Sequence, residues 1–179
     1  QVGLLARQSE AVSGTEPVPF DVLVAESEGL IGYLLAEEIG RQIGAERVVV
    51  LLTLVVVDRK DPAFSKPSKP IGGMMTEEEA KRATATRGWF VMQDGKGWRR
   101  AVASPEPLEI IEINAIRSLM DAGYVVVCAG GGGIPVARYG DGVLRGVEAV
   151  IDKDLTSSLL AVELDADQLL MLTDVSHAI

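Results

Sequence analysis

The sequence predicts an α/β domain wound around a mainly parallel sheet, with one subdomain inserted at residues 60–106. Arg47 to Val57 is nearly all Val and Leu, the composition of a strand covered on both faces, which in a parallel sheet means helices on each side. Val125-Val126-Val127-Cys128-Ala129 runs into Gly130-Gly131-Gly132-Gly133 and reads as a second buried strand ending in a tight glycine turn. Around these runs apolar residues recur at helical spacing, giving the order helix, strand, insert, helix, strand, helix, strand.

Taken in order, residues 1–13 carry apolar positions at Val2, Leu4, Leu5, Ala6 and Val12 and predict an amphipathic helix, broken by Gly14, Pro17 and Pro19. A long helix follows through Val24, Leu30, Ile31, Leu34, Leu35 and Ile39, with Asp21 as N-cap and Gly44 as stop. Its acidic residues Glu26, Glu28, Glu37 and Glu38 read as a solvated face. After the Val/Leu strand, the prolines and glycines between Asp61 and Met75 predict a loop. Thr76 with Glu79 forms a capping box that starts a short helix to about Thr86.

Two aromatic-bearing segments flank Asp94-Gly95-Lys96-Gly97 and predict a β-hairpin, so the insert holds a short helix and a hairpin. Ser104-Pro105-Glu106-Pro107 closes the insert, and Ile110, Ile111, Ile113, Ile116, Leu119 and Met120 predict a helix up to Gly123. Beyond the glycine run, Val136 to Gly142 reads as a polar turn. Leu155 to Leu164 reads as a helix capped by Asp154, and Gln168 to Thr173 as one more buried strand.

A chain of 179 residues with 47% apolar content supports one folded domain. Its 17 basic against 26 acidic residues, a formal charge of −9, argue against nucleic-acid partners, because phosphate backbones are held by Lys/Arg surfaces. The single cysteine, Cys128, sits in an apolar run and reads as a small buried hydrophobe, which fits a reducing cytoplasm. No apolar run reaches the ~20 residues that span a bilayer, and no signal-peptide pattern stands at the start. Gln1 begins inside an apolar pattern and Ile179 ends just beyond a strand-like run, so the sequence reads as a piece of a longer protein.

Three places could carry chemistry. The glycines 130–133 imply close backbone approach, to a ligand or simply within a tight turn; their spacing matches neither the dinucleotide fingerprint nor a P-loop. Asp152-Lys153-Asp154 stands at a strand-to-helix junction, where Lys153 could meet a phosphoryl group while a neighbouring carboxylate holds that lysine or meets Mg²⁺. The bland reading is a helix cap beside a solvated lysine. Lys69 lies between Pro67 and Pro70, presented from a stiff arm or merely exposed on a loop. His177, the one histidine, lies near the end, so histidine-based catalysis and a His-rich metal site are not expected. Trp89 and Trp98 read as hairpin packing.

Five stretches together resemble the carbamate kinase family, of the amino acid kinase fold. They are Asp61-Pro-Ala-Phe-x-x-Pro-x-Lys69-Pro-Ile-Gly72, Thr76-Glu-Glu-Glu-Ala-Lys81, Gly97-Trp-Arg-Arg100 with Val102-x-Ser-Pro105, Gly130-Gly-Gly-Gly-Ile-Pro135, and Gly146-Val-Glu-Ala-Val-Ile-Asp-Lys-Asp-Leu155. Gln1-Val2-Gly3 resembles the tail of that family's Gly-Asn-Gly-Pro-Gln-Val-Gly loop, and Gly73 stands where the family has a proline.

The resemblance implies an αβα sandwich, a homodimer, and phosphoryl transfer between ATP and carbamate with Mg²⁺, often run from carbamoyl phosphate and ADP toward ATP. It implies that Gly130, Gly131, Gly132 and Gly133 line the transfer site and that Lys153 stabilises the transferring group. Asp152 would organise that lysine, Lys69 would reach in from the insert acting as a lid, and Thr173, Asp174 and Val175 would lie by the nucleotide. It also implies that the family's N-terminal strand and C-terminal part lie outside this sequence, leaving 1–179 a partial domain. Another acid kinase of the same fold, or a non-catalytic binding or assembly module, are the competing expectations.

Overall fold

The computed structural model describes residues 1–11 and 18–172. Two helices come first, α1 (Val2–Ala11) and α2 (Phe20–Ile43), followed by strands β1 (Val48–Val50) and β2 (Leu54–Val57). Next come β3 (Lys69–Met75), α3 (Glu77–Arg87), β4 (Phe90–Asp94), β5 (Gly97–Val102) and β6 (Pro107–Ile110). The chain continues with α4 (Ile113–Asp121), β7 (Val125–Val127), β8 (Ile134–Arg138), β9 (Leu144–Gly146) and α5 (Lys153–Glu163).

The central pairings are parallel, β1 with β7 and β2 with β8, while β6 and β9 add antiparallel strands in the order β6-β2-β8-β9. Helices cover both faces. On one side Ala6, Phe20, Leu23 and Val24 from α1 and α2 pack on Val56, Ile134 and Val136. On the other, Ile116 of α4 and Leu159 and Leu160 of α5 pack with Val55, Val57 and Ile110. Alternate residues of β2 therefore serve opposite cores, as the two-residue period of a strand requires, and the result is an αβα sandwich.

The Val/Leu run predicted as one strand is two. Leu51 N–H still reaches the Val127 carbonyl at 2.9 Å, but the Thr53 N–H turns to a carboxylate oxygen of Glu28 at 2.9 Å. The Thr53 carbonyl then accepts from Ile134 at 2.8 Å, and β2 continues beside β8. The neighbour changes because the glycine turn carries residues 128–133 off the ladder. Only the second half is covered on both faces: Val50 of β1 and Val125 of β7 are 37% and 39% exposed.

Other expectations change for local reasons. The proline- and glycine-rich stretch before Met75 is strand β3, paired antiparallel with β5 and irregular between Ile71 and Met75, where Gly72 takes a φ of +73°. Residues 136–138, expected in a polar turn, belong to β8, whose Ile134-Pro135-Val136-Ala137 is buried. Ile110 lies in β6 and α4 starts three residues later. Residues 168–172 form no strand, and Leu170 and Leu172 are 76% and 94% exposed.

The helix ends also differ. The N-cap of α2 is Pro19, not Asp21, and the carboxylate of Glu148 receives the Phe20 N–H at 3.0 Å. The cap of α5 is Asp152, not Asp154. Thr76 and Glu79 do form the reciprocal capping box that opens α3. Residues 90–102 form the hairpin of β4 and β5 around Gly95-Lys96, and β3 joins it in the order β3-β5-β4. No helix among the described residues is long and apolar enough to cross a membrane.

Candidate functional site

Lys69 opens β3, and its ammonium leaves the insert to meet Asp152 Oδ2 at 2.9 Å and the Ile151 carbonyl at 3.2 Å. The other Asp152 oxygen accepts the Asp154 N–H at 2.9 Å and caps α5. Both carboxylate oxygens are therefore engaged, one tying the insert to the domain and one starting a helix. The hydrogen bond from Lys69 is the largest of the influences that hold the Asp152 carboxyl below its usual range, ahead of the opposing effect of burial. Asp152 thus pairs with Lys69, while Lys153, which the resemblance has it organise, pairs with Asp154. Lys153 lies next to it, 66% exposed at its side chain, 3.1 Å from Asp154.

The glycine run wraps against this junction. A Cβ on Gly132 would collide with the Ile151 carbonyl and stand 3.3 Å from the backbone nitrogen of Lys153, and Gly132 has a φ of +136°. Thr156, fully buried in α5, donates its hydroxyl hydrogen to the Gly132 carbonyl at 2.8 Å. A Cβ on Gly133 would meet Val55, and one on Gly130 would come 2.6 Å from Glu28 Cγ. The close approach that the sequence signals is therefore made largely to the protein itself. Gly131 alone of the four has open space where a side chain would start.

Within the turn, the N–H groups of Gly132 and Gly133 both point at the Ala129 carbonyl, at 2.7 and 2.6 Å. Ala129 holds a φ of +58° and donates its own N–H to Thr53 Oγ1 at 2.9 Å. One threonine therefore fixes the end of β7, the start of β8 and the break in the Val/Leu strand.

Glu28 is the member of this neighbourhood that the sequence reading assigned to solvent. It is 3% exposed, and its carboxyl is pushed up to about 7 by burial, against the Thr53 hydrogen bond and with help from Glu112. Oε2 accepts from Thr53, while Oε1 is buried with no partner among the described residues. A signal was present: Val24, Glu28 and Gly32 recur four residues apart, which puts Glu28 on the buried stripe of α2. Cys128, next to the loop, has its thiol pushed up to about 11, chiefly by burial, and is a weak nucleophile.

Lys69, Asp152, Lys153 and the glycine run are thus brought to one place, the N-terminus of α5. Thr173, Asp174, Val175 and His177 lie outside the described residues. No group of three His, Cys, Asp or Glu among the described residues could enclose a metal ion. Trp89 stacks beneath Arg87 and Arg100, with 4.9 and 4.5 Å from guanidinium carbon to ring centre, as packing within the insert.

Comparison with known proteins agrees with this architecture. Residues 75–177 match the profile of the amino acid kinase family. The carbamate kinase of Haemophilus influenzae is 49% identical over 177 residues, covering 98% of this chain and 57% of its own length. That of Pyrococcus furiosus is 44% identical, covering 99% of this chain and 59% of its own. Among solved structures, the Giardia lamblia carbamate kinase bound to citric acid superposes with a TM-score of 0.90 at 44% identity, over 98% of this chain and 58% of the other. The same enzyme bound to AMP-PNP gives 0.83 at 43% identity, over 98% and 57%. The chain therefore spans somewhat under two thirds of the relatives it matches. With more than half of its residues inside the family profile and its sandwich superposing on solved members, the chain belongs to the amino acid kinase family.

Proposed function

We propose that the protein containing this chain is a carbamate kinase, moving a phosphoryl group between ATP and carbamate. The observation that carries this reading is the convergence of Lys69, Asp152, Lys153 and the glycine turn at the start of α5. A helix N-terminus favours anions through its unpaired N–H groups and dipole. Lys153 adds an exposed ammonium whose one ion-pair partner among the described residues is the exposed Asp154, and Lys69 adds a second positive charge from the insert. Phosphoryl transfer needs positioning and charge neutralisation more than a covalent nucleophile, and these groups supply that.

In the direction of ATP synthesis, a β-phosphate oxygen of ADP attacks the phosphorus of carbamoyl phosphate. The bond from phosphorus to the carbamoyl oxygen breaks, and carbamate leaves with the electron pair. Lys153 would bear on the negative oxygens of the transferring group. Asp152 positions Lys69 and the helix start, and Gly131 offers the one open backbone stretch of the turn. Residues 60–106 act as the lid that carries Lys69, while Thr173, Asp174 and Val175 lie by the nucleotide. Mg²⁺ would supply charge neutralisation on the nucleotide phosphates, and Asp152, engaged on both oxygens, would stay with Lys69 and the helix start. The protein works as a cytoplasmic homodimer.

The test is ATP formation by the full-length protein from ADP and carbamoyl phosphate. Lys153→Ala should lower kcat by about 100-fold or more, the scale of losing one transition-state contact. Absence of ATP formation by the wild type, or an unchanged rate in the variant, would reject the reading.

A further inference from the structure

A cavity of about 550 Å³ opens between α1 and the insert, within the size range of small-molecule sites. Arg7 reaches it from α1, Arg82 and Arg87 from α3, and Arg100 from β5. Against these four guanidinium groups stand two carboxylates, Glu10 and Glu79. The lining is therefore positive by two charges, in a chain whose formal charge is −9. None of Lys69, Asp152, Lys153 or the glycines 130–133 lines it.

The carboxylates present are already engaged. Glu79 accepts the Thr76 N–H in the capping box. Glu10 is shared, with one oxygen 2.9 Å from Arg87 and the other 2.9 Å from Arg100. Arg7 and Arg82 have no ion pair among the described residues, and the Arg7 guanidinium lies beside Gly73. A floor is provided by Trp89, and Ala6, Ile71 and Ala83 supply apolar wall. Guanidinium groups gathered this way repel one another, and their planar forks match carboxylate and phosphate oxygens two at a time.

We infer that this cavity binds a small anion bearing two or more acid groups, carboxylate or phosphate, clamped between α1 and the insert. Carbamate, with one charge and a handful of atoms, would leave most of the space and two arginines unused. The occupant would bridge Arg7 on one side to Arg82 on the other, adding a link between domain and insert beside the pair of Glu10 with Arg87 and Arg100. The inference stands apart from the phosphotransfer reading, since it uses none of those residues.

Calorimetric titration of the full-length protein tests it, with tricarballylate and inorganic pyrophosphate as probes and acetate as the singly charged control. Saturable binding of at least one polyanion without acetate binding is expected, and the stronger probe tells carboxylate from phosphate preference. Arg7→Gln and Arg82→Gln should each weaken it by about tenfold, the scale of a charge-assisted hydrogen bond. Arg41→Gln, on an exposed pair with Glu37 elsewhere, should leave it unchanged. Both arginine side chains are on exposed residues, so the variants should keep the wild-type circular dichroism. No saturable polyanion binding, or unweakened binding in both arginine variants, would overturn the inference.

Discussion

Glu28 and Thr53 meet where the central sheet changes partners: one carboxylate oxygen takes the Thr53 N–H at 2.9 Å, and the other is buried without a partner among the described residues. Burial raises this carboxyl from 4.5 to about 7. Its neutral form is the one the fold prefers. The stabilising contribution is therefore complete below about 4.5, falls as pH rises because the unfolded chain ionises first, and is gone above about 7. Glu28→Gln removes that slope. The variant should melt higher than the parent at pH 8 and lose the advantage toward pH 5, with a difference on the order of 2–3 kcal/mol at most, from the energy equivalent of a pKa unit. Melting curves of both proteins across that range check it, and parallel curves would show that Glu28 does not titrate with folding.

At Asp152, ion pairing and helix capping can be separated by substitution. Asp152→Asn keeps an acceptor for the Asp154 N–H and weakens the link to Lys69, whereas Asp152→Ala loses both. The alanine variant should cost about 1 kcal/mol more than the asparagine variant, the usual value of a cap. On the proposed reading, both should slow ATP formation by the full-length protein. The depressed carboxyl gives a contribution present above its unfolded value of 3.8 and lost as pH falls through the lower folded value. Because Asp152 is partly exposed, solvent screening keeps that contribution small. Urea unfolding and initial rates of the pair of variants provide the comparison.

The four glycines should respond unequally to alanine. Gly132→Ala and Gly133→Ala drive a Cβ into the Ile151 carbonyl and the Val55 side chain at positive φ, and should each cost about 2 kcal/mol or more. Gly131→Ala meets open space and should change stability by less than about 1 kcal/mol. Equal midpoints for all three in urea would contradict the packing described.

Removing the buried hydroxyl that holds the turn to α5 gives a further measure. Thr156→Val keeps the shape and leaves the Gly132 carbonyl without its donor, so a loss of about 1–2 kcal/mol is expected. Amide exchange of the glycine turn should accelerate in the variant, and an unchanged rate would mean the turn does not depend on this bond.

Much of the fold was legible from periodicity: α1, α2 and the hairpin follow from spacing, α3 from its capping box, and the Val-rich runs at 48–57 and 125–127 from composition. What escaped depends on who stands next to whom. Nothing in Leu51-Leu52-Thr53 announces that the strand exchanges β7 for β8, because that follows from a turn some 75 residues away in the chain. The run before Met75 has loop composition but is held as a strand by β5. In the candidate site, Lys69 and Lys153 were visible as residue types, yet the partner of Asp152 was not, since only folding brings Lys69 across. Glu28 was misjudged because charge was weighed above its place on the buried stripe.

The open position at Gly131 gives this protein a handle for reporter chemistry. A cysteine placed there would present an accessible thiol beside the α5 N-terminus, while the native Cys128, half-buried and with its thiol near 11, stays un-ionised at neutral pH. An environment-sensitive dye could then be attached selectively at the point where nucleotide and acid substrate are proposed to meet, turning the one open glycine of the turn into a sensor of what arrives.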